Sequence, residues 1–144
     1  MFRFKLKKGS SFEKVRDVFC FGCFTGQRFS DIASFKYEDI RNDAWHLRTQ
    51  KTKDPLAIPL NKFALQIIKK YKARKQPLPV ISNQKTNEYL KELCEEVEID
   101  DPITNIKYRG SERIENALPK YDFITTHTAR RTFVTLSLEK GMRP

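Results

Sequence analysis

The sequence predicts an α+β fold: mainly helical, with a small three-stranded antiparallel sheet and a second short hairpin. Three observations predict it. Apolar residues recur at steps of three and four in stretches around Phe12 to Cys23, Phe63 to Tyr71 and Leu90 to Val97. Over residues 40–60 the pattern changes to strand-like alternation. Over residues 103–124 two shorter alternating stretches are separated by Arg109-Gly110-Ser111.

The first helix begins at Ser10-Ser11-Phe12-Glu13, a capping box in which the Ser hydroxyl accepts an orphan helix amide and the Glu reaches back. Phe12, Val15, Val18, Phe19 and Cys23 give it one core face, and Gly26 ends it with a left-handed residue. Arg28 comes next, and Ser30 caps a second short helix through Asp31, Ile32, Ala33 and Phe35. Asn42-Asp43 and Thr52-Lys53-Asp54-Pro55 supply the two turns of the sheet. Trp45 and Leu47 share one face, as do Leu56, Ile58 and Leu60 on the third strand. Asn61 caps the next helix, whose stripe is Phe63, Ile67, Ile68 and Tyr71, before Pro77 and Pro79 break it. Another helix spans residues 83–97. The hairpin comprises residues 103–108 and 114–123. The last helix begins at Thr125 or Thr126 and puts His127 and Arg130 in its opening turns, with Gly141 and Pro144 as its stop.

At 144 residues and 39% hydrophobic, the chain suffices for one domain with a real core and is too short to divide comfortably into two. Residues 1–144 are expected to be a single domain. Lys and Arg outnumber Asp and Glu by 28 to 18, a net charge of +10 that points to a polyanionic partner, nucleic acid first. A membrane is disfavoured: the basic residues do not gather on one amphipathic helix, and no apolar run approaches the roughly 20 residues that span a bilayer. The basic start lacks the apolar stretch of a secretory signal, so a cytoplasmic protein is expected. Cys20, Cys23 and Cys94 fit buried, reduced helix cysteines. Cys-Phe-Gly-Cys has no second Cys pair or nearby His to complete a zinc site, so no metal is expected.

Chemistry is carried by Arg28, Lys51, His127 and Arg130 if the fold brings them together. Two guanidiniums can each donate paired hydrogen bonds to phosphate oxygens and meet the charge that grows on a pentacoordinate phosphorus. His127 can donate to the same phosphate or shuttle a proton near neutral pH. Lys51, at a hairpin tip, can protonate a leaving alkoxide, with Lys53 its competitor for that role. Such a set suits phosphoryl transfer without a metal.

The runs Thr25-Gly26-Gln27-Arg28-Phe29-Ser30-Asp31-Ile32, Gln50-Lys51-Thr52-Lys53 leading to Ile58-Pro59-Leu60, and His127-Thr128-Ala129-Arg130-Arg131-Thr132-Phe133, in that order, resemble the tyrosine recombinases. These are the phage-type integrases, here most similar to those of mobile elements in Bacteroides-like bacteria. The resemblance covers nearly the whole chain. It implies the tyrosine-recombinase catalytic fold and site-specific recombination of double-stranded DNA through a 3′-phosphotyrosyl intermediate, with no cofactor. Arg28 and Arg130 would hold the scissile phosphate, His127 would support it and assist proton transfer, and Lys51 would act as general acid on the 5′ oxygen. Asp31 would orient the site. From the residues themselves, Lys53 is expected to be solvated or to touch a phosphate, and Arg131, turned about 100 degrees from Arg130 on a helix, to make a salt bridge or a DNA backbone contact. The resemblance further implies a tetramer on DNA.

Two departures from the family pattern shape the expectation. Tyr37, Tyr71, Tyr89, Tyr108 and Tyr121 all precede the His-x-x-Arg motif, so the nucleophile is assigned to no residue of this sequence. The first predicted helix already opens at Ser10, so the family's N-terminal DNA-clamping domain is expected to be absent as well. The expectation is therefore a catalytic domain truncated before its nucleophilic Tyr, monomeric in solution, that binds DNA without cutting it. The alternative is a catalytically inactive DNA-binding or regulatory module. His46 is expected on a strand surface, and the run Lys69-Lys70-Tyr71-Lys72-Ala73-Arg74-Lys75 on a solvated helix face.

Overall fold

The computed structural model describes residues 1–49 and 53–143. Its elements are α1 (Ser11–Thr25), α2 (Phe29–Ala33), a 3-10 turn (Tyr37–Asp39), β1 (Ile40–Arg41), β2 (Ala44–Arg48), β3 (Pro55–Pro59), α3 (Lys62–Lys70), α4 (Asn83–Glu96), β4 (Pro102–Arg109), β5 (Glu112–Pro119), a second 3-10 turn (Lys120–Phe123) and α5 (Thr126–Glu139). The strands form an antiparallel sheet of order β1-β2-β3 and a separate β4-β5 hairpin. This is the α+β architecture that the periodicities predict.

Helix α1 starts where Ser10 accepts the Glu13 amide at 3.1 Å. The return arm differs from the expected capping box: the Glu13 carboxylate takes the N–H of Gly9 at 2.6 Å, one residue further out. Gly26 closes the helix at φ 68°, donating its N–H to the Gly22 carbonyl. The core face is wider than the five spaced apolar residues suggest. Val15, Val18 and Phe21 are buried, and so are Arg16 and Asp17, because α3, α4 and α5 all pack on α1. Helix α2 departs from expectation at both ends. It begins at Phe29 with Arg28 as its cap residue, Ser30 lies inside it, and it stops at Ala33.

In the sheet, Trp45 pairs with Ile58 and Leu47 with Leu56. Trp45 and Ile58 enter the core at 1% and 8% exposure, whereas Leu56, at the far end of the same face, is 41% exposed. Trp45 packs on Phe35 with ring centroids 4.4 Å apart, and Phe21 stacks on Phe35. Asn61 caps α3 by accepting the amides of Phe63 and Ala64, which turns Ala64, Ile67 and Ile68 into the same core. Leu90 and Cys94 of α4 join Val15 and Ile124 in a second cluster. The hairpin is longer at its turn than predicted, pairing Pro102 with Pro119 and Arg109 with Glu112, and residues 120–123 form a 3-10 turn in place of strand. Cys20 and Cys94 are buried and Cys23 is half-buried, all as free thiols.

A close helix contact joins the two ends of the chain. A Cβ added to Gly22 would lie 3.0 Å from the Ala129 Cβ, so α1 and α5 meet through two small residues at close range. The start of α5 is thereby brought against the end of α1.

Candidate active site

The loop from Gly26 to Arg28 and the first turns of α5 face one another across a cleft of about 450 Å³. Gln27, Arg28, Phe29 and Ser30 line it on one side, Thr126, His127 and Arg130 on the other, and Asn83 at the start of α4 completes it. The fold thus joins Arg28 to His127 and Arg130, about a hundred positions away in sequence.

Each side chain is placed by a local cause. The left-handed Gly26 reverses the chain, and a Cβ there would lie 2.4 Å from the Phe133 ring, so only glycine permits both the turn and the packing of α5. Arg28 lies in extended backbone at φ −72°, ψ 152°. Arg130 Nη1 donates to the Gly26 carbonyl at 2.9 Å, tying the α5 guanidinium to the loop that carries Arg28. A guanidinium has five N–H donors, so this bond leaves most of its fork available. His127 stands in the first turn of α5, where Thr125 is the cap residue and its N–H donates to Thr128 Oγ1 at 3.0 Å. Among the described residues, none of Arg28, His127 and Arg130 forms an ion pair, and the cleft lining contains no carboxylate. Arg28 and Arg130 are half-buried and His127 is exposed at the rim. Half-buried guanidiniums without counter-ions make a site for an external anion.

Asp31 is 1% exposed in α2, three residues after Arg28. Lys51 lies outside the described residues. Lys53 is exposed at the turn between β2 and β3, in left-handed backbone at φ 61°, with its N–H donated to the Thr49 carbonyl at 3.0 Å. It is not part of the cleft. Arg131 is exposed and lines an adjoining depression of about 350 Å³ with His127, Arg130, Val134 and Thr135, which extends the cationic surface along α5. None of the tyrosines lines the cleft.

A larger opening of about 720 Å³ lies over the sheet, between the first 3-10 turn and β3. It mixes Lys36, His46 and Arg48 with Glu38 and Asp39. Both signs of charge line it, whereas the charged groups of the smaller cleft are all basic and suit an anion better.

The sequence profile of the phage integrase family matches residues 6–144. The chain belongs to the phage integrase family. Over 37 residues it is 51% identical to the integrase of Enterobacteria phage P21, a stretch covering 26% of this chain and 10% of that protein. The lambda integrase catalytic core has the same fold: TM-score 0.65, 18% identity, over 92% of this chain and 75% of that one. The Tn1549 transposon integrase, solved in complex with circular intermediate DNA, superimposes with TM-score 0.57 and 20% identity over 95% of this chain and 49% of that one. For XerH site-specific recombinase bound to difH substrate the values are 0.61 and 13%, over 96% of this chain and 39% of that one. This integrase-family chain thus spans less than half of the last two. Among its described residues no helix is long and apolar enough to cross a membrane.

Sequence reasoning missed two participants. The Gly26 carbonyl acts through its backbone, which no side-chain pattern announces. Asn83 read only as a helix start; its signal was the spacing of Asn83 and Asn87, four residues apart and hence on one face of α4.

Proposed function

We propose that residues 1–144 form one catalytic domain of a site-specific DNA recombinase that integrates or excises a mobile element by cutting and rejoining double-stranded DNA. The observation that carries the reading is the shared, carboxylate-free cleft of Arg28, His127 and Arg130. In it the two guanidiniums hold the scissile phosphate and stabilise the charge of the pentacoordinate transition state. His127 supports the same phosphate and assists proton transfer. Lys51 is assigned the general-acid role on the 5′ oxygen, and Asp31 orients the site from α2. Lys53 and Arg131 contact the DNA backbone and set position, not sequence. A 3′-phosphotyrosyl intermediate conserves the phosphodiester energy, so the reaction calls for neither ATP nor metal.

No tyrosine lines the cleft, so the nucleophile is assigned to none of residues 1–144, and the active assembly is a tetramer on DNA. These residues alone are monomeric and bind duplex DNA weakly, with an affinity that falls steeply with salt. Incubated with a nicked suicide substrate, they are expected to yield no covalent adduct, and Arg130→Ala to weaken binding further. An adduct from residues 1–144 would overturn this assignment of the nucleophile. The same absence from the cleft favours a second reading, a catalytically inactive DNA-binding module. An adduct formed by the natural gene product would exclude it.

A further inference from the structure

Asn83 is the contribution of α4 to the cleft. It is the first residue of that helix, held by Ser82, whose hydroxyl accepts the Lys85 amide and whose carbonyl accepts both the amide and the hydroxyl of Thr86. One turn later comes Asn87. Both amides grip the same residue: the Thr126 hydroxyl donates to Asn83 Oδ1 at 2.9 Å, and the Thr126 N–H donates to Asn87 Oδ1 at 2.8 Å. Thr126 immediately precedes His127.

Both amides accept through Oδ1, and only Asn83 lines the cleft. Asn87 caps the first amide of α5. Asn83 meets a hydroxyl whose single proton is spent on Oδ1, so its NH₂ group is turned away from Thr126. Among the described residues that NH₂ has no partner. It belongs to a side chain lining a cleft with two guanidiniums and an imidazole, where an anion would want a neutral donor to fill its remaining lone pairs.

We propose that Asn83 is a phosphate-binding residue: its Nδ2 donates to a non-bridging oxygen of the phosphate held by Arg28 and Arg130, in an orientation fixed by Thr126. The inference rests on the cleft being the phosphate site. It adds a third element, α4, to that site and couples the phosphate to the start of α5. Thr126 links donor and His127, so phosphate binding through Asn83 also steadies the imidazole.

The test uses the 144-residue protein with inorganic phosphate, monitored by ¹⁵N NMR. On saturation the side-chain NH₂ resonances of Asn83 should move, while those of Asn87, bonded to the same Thr126 but outside the cleft, should stay. Asn83→Asp keeps the acceptor for Thr126 and removes both donors. Ser30→Asp puts the same charge into the cleft from another element and serves as the control for repulsion alone. Asn83→Asp is expected to weaken phosphate binding by at least about tenfold, and Ser30→Asp by much less, since a charge-assisted hydrogen bond is lost only in the first. Static Asn83 resonances at saturation, or equal losses in the two Asp variants, would overturn the proposal. If Arg28→Ala and Arg130→Ala still abolish binding in that case, the cleft remains the phosphate site without Asn83. If they leave binding unchanged, the reading of the cleft itself fails.

Discussion

Arg16 lies near the start of α1 and Arg28 just past its end, and the two have opposite surroundings. Arg16 donates to Asp17 Oδ1 through Nε at 2.9 Å and Nη2 at 2.7 Å, and to the Phe4 carbonyl through Nη1 at 2.6 Å. Lys70 joins from α3, with Nζ 2.6 Å from Asp17 and 2.7 Å from Glu13, and the Tyr71 hydroxyl donates to Asp17 Oδ2 at 2.8 Å. Two carboxylates answer two cations there. Past the other end of α1, Arg28 and Arg130 line a cleft without a carboxylate. An arginine whose donors are consumed inside the protein staples helices together, whereas one left with open donors in a cleft is stabilised only when an anion arrives.

Substitutions at the two ends should therefore separate stability from binding. Asp17→Ala strands Arg16, Lys70 and the Tyr71 hydroxyl, and is expected to cost about 3–5 kcal/mol in urea unfolding. Arg28→Ala should change stability by no more than about 0.5 kcal/mol while removing most phosphate affinity. Similar stability losses for the two would erase the contrast. Gly26→Ala comes next: left-handed backbone and the collision with Phe133 together predict a loss of about 2–4 kcal/mol, and a lowered DNA affinity because Arg28 and the carbonyl bonded by Arg130 both move. A Tm unchanged by Gly26→Ala would contradict the close packing of α5 on this turn.

A smaller effect is expected with pH. Burial pushes the Glu13 carboxyl up, but the hydrogen bonds from Lys70 and Gly9 and the charges of Lys70 and Arg16 outweigh it and hold the group below its ordinary 4.5. The folded state therefore binds this proton less readily than the unfolded one. Its contribution is complete above about pH 4.5 and disappears as the pH falls through the lowered folded value. Glu13→Gln should flatten the stability curve over that acidic stretch, as read by urea midpoints at a series of pH values. Smallest of all, burial pushes the Cys20 and Cys23 thiols up to about 12, so alkylation at neutral pH should be slow until the protein unfolds. Rapid labelling of either in the folded state would argue that α1 opens at this end.

The elements were legible wherever local chemistry decides them. Ser10 and Asn61 announced their helices because a cap bond spans only two or three residues. The β2–β3 register agrees with the alternation around Trp45 and Ile58. Boundaries failed where tertiary contacts override local preference: Ser30 is a good cap by type, yet Arg28 occupies the cap position of α2 because the Gly26 turn has already set the chain direction. Burial of Arg16 and Asp17 was invisible because it depends on Lys70 and Tyr71, more than fifty residues away. For the site, Arg28, His127 and Arg130 were readable as motif residues. Their meeting depends on the approach of Gly22 to Ala129, and the role of Asn83 depends on Thr126; neither is a local signal.

The cleft at the end of α1 is expected to receive a phosphate, and the network at its beginning is not. Tracking the arginine Nε resonances by ¹⁵N NMR as inorganic phosphate is added tests both halves in one sample. Arg28 and Arg130 should shift together with the His127 ring along a single saturating curve, and Arg16 should not move. A curve in which Arg28 and Arg130 stay still at saturation, or titrate independently of one another, would contradict the account.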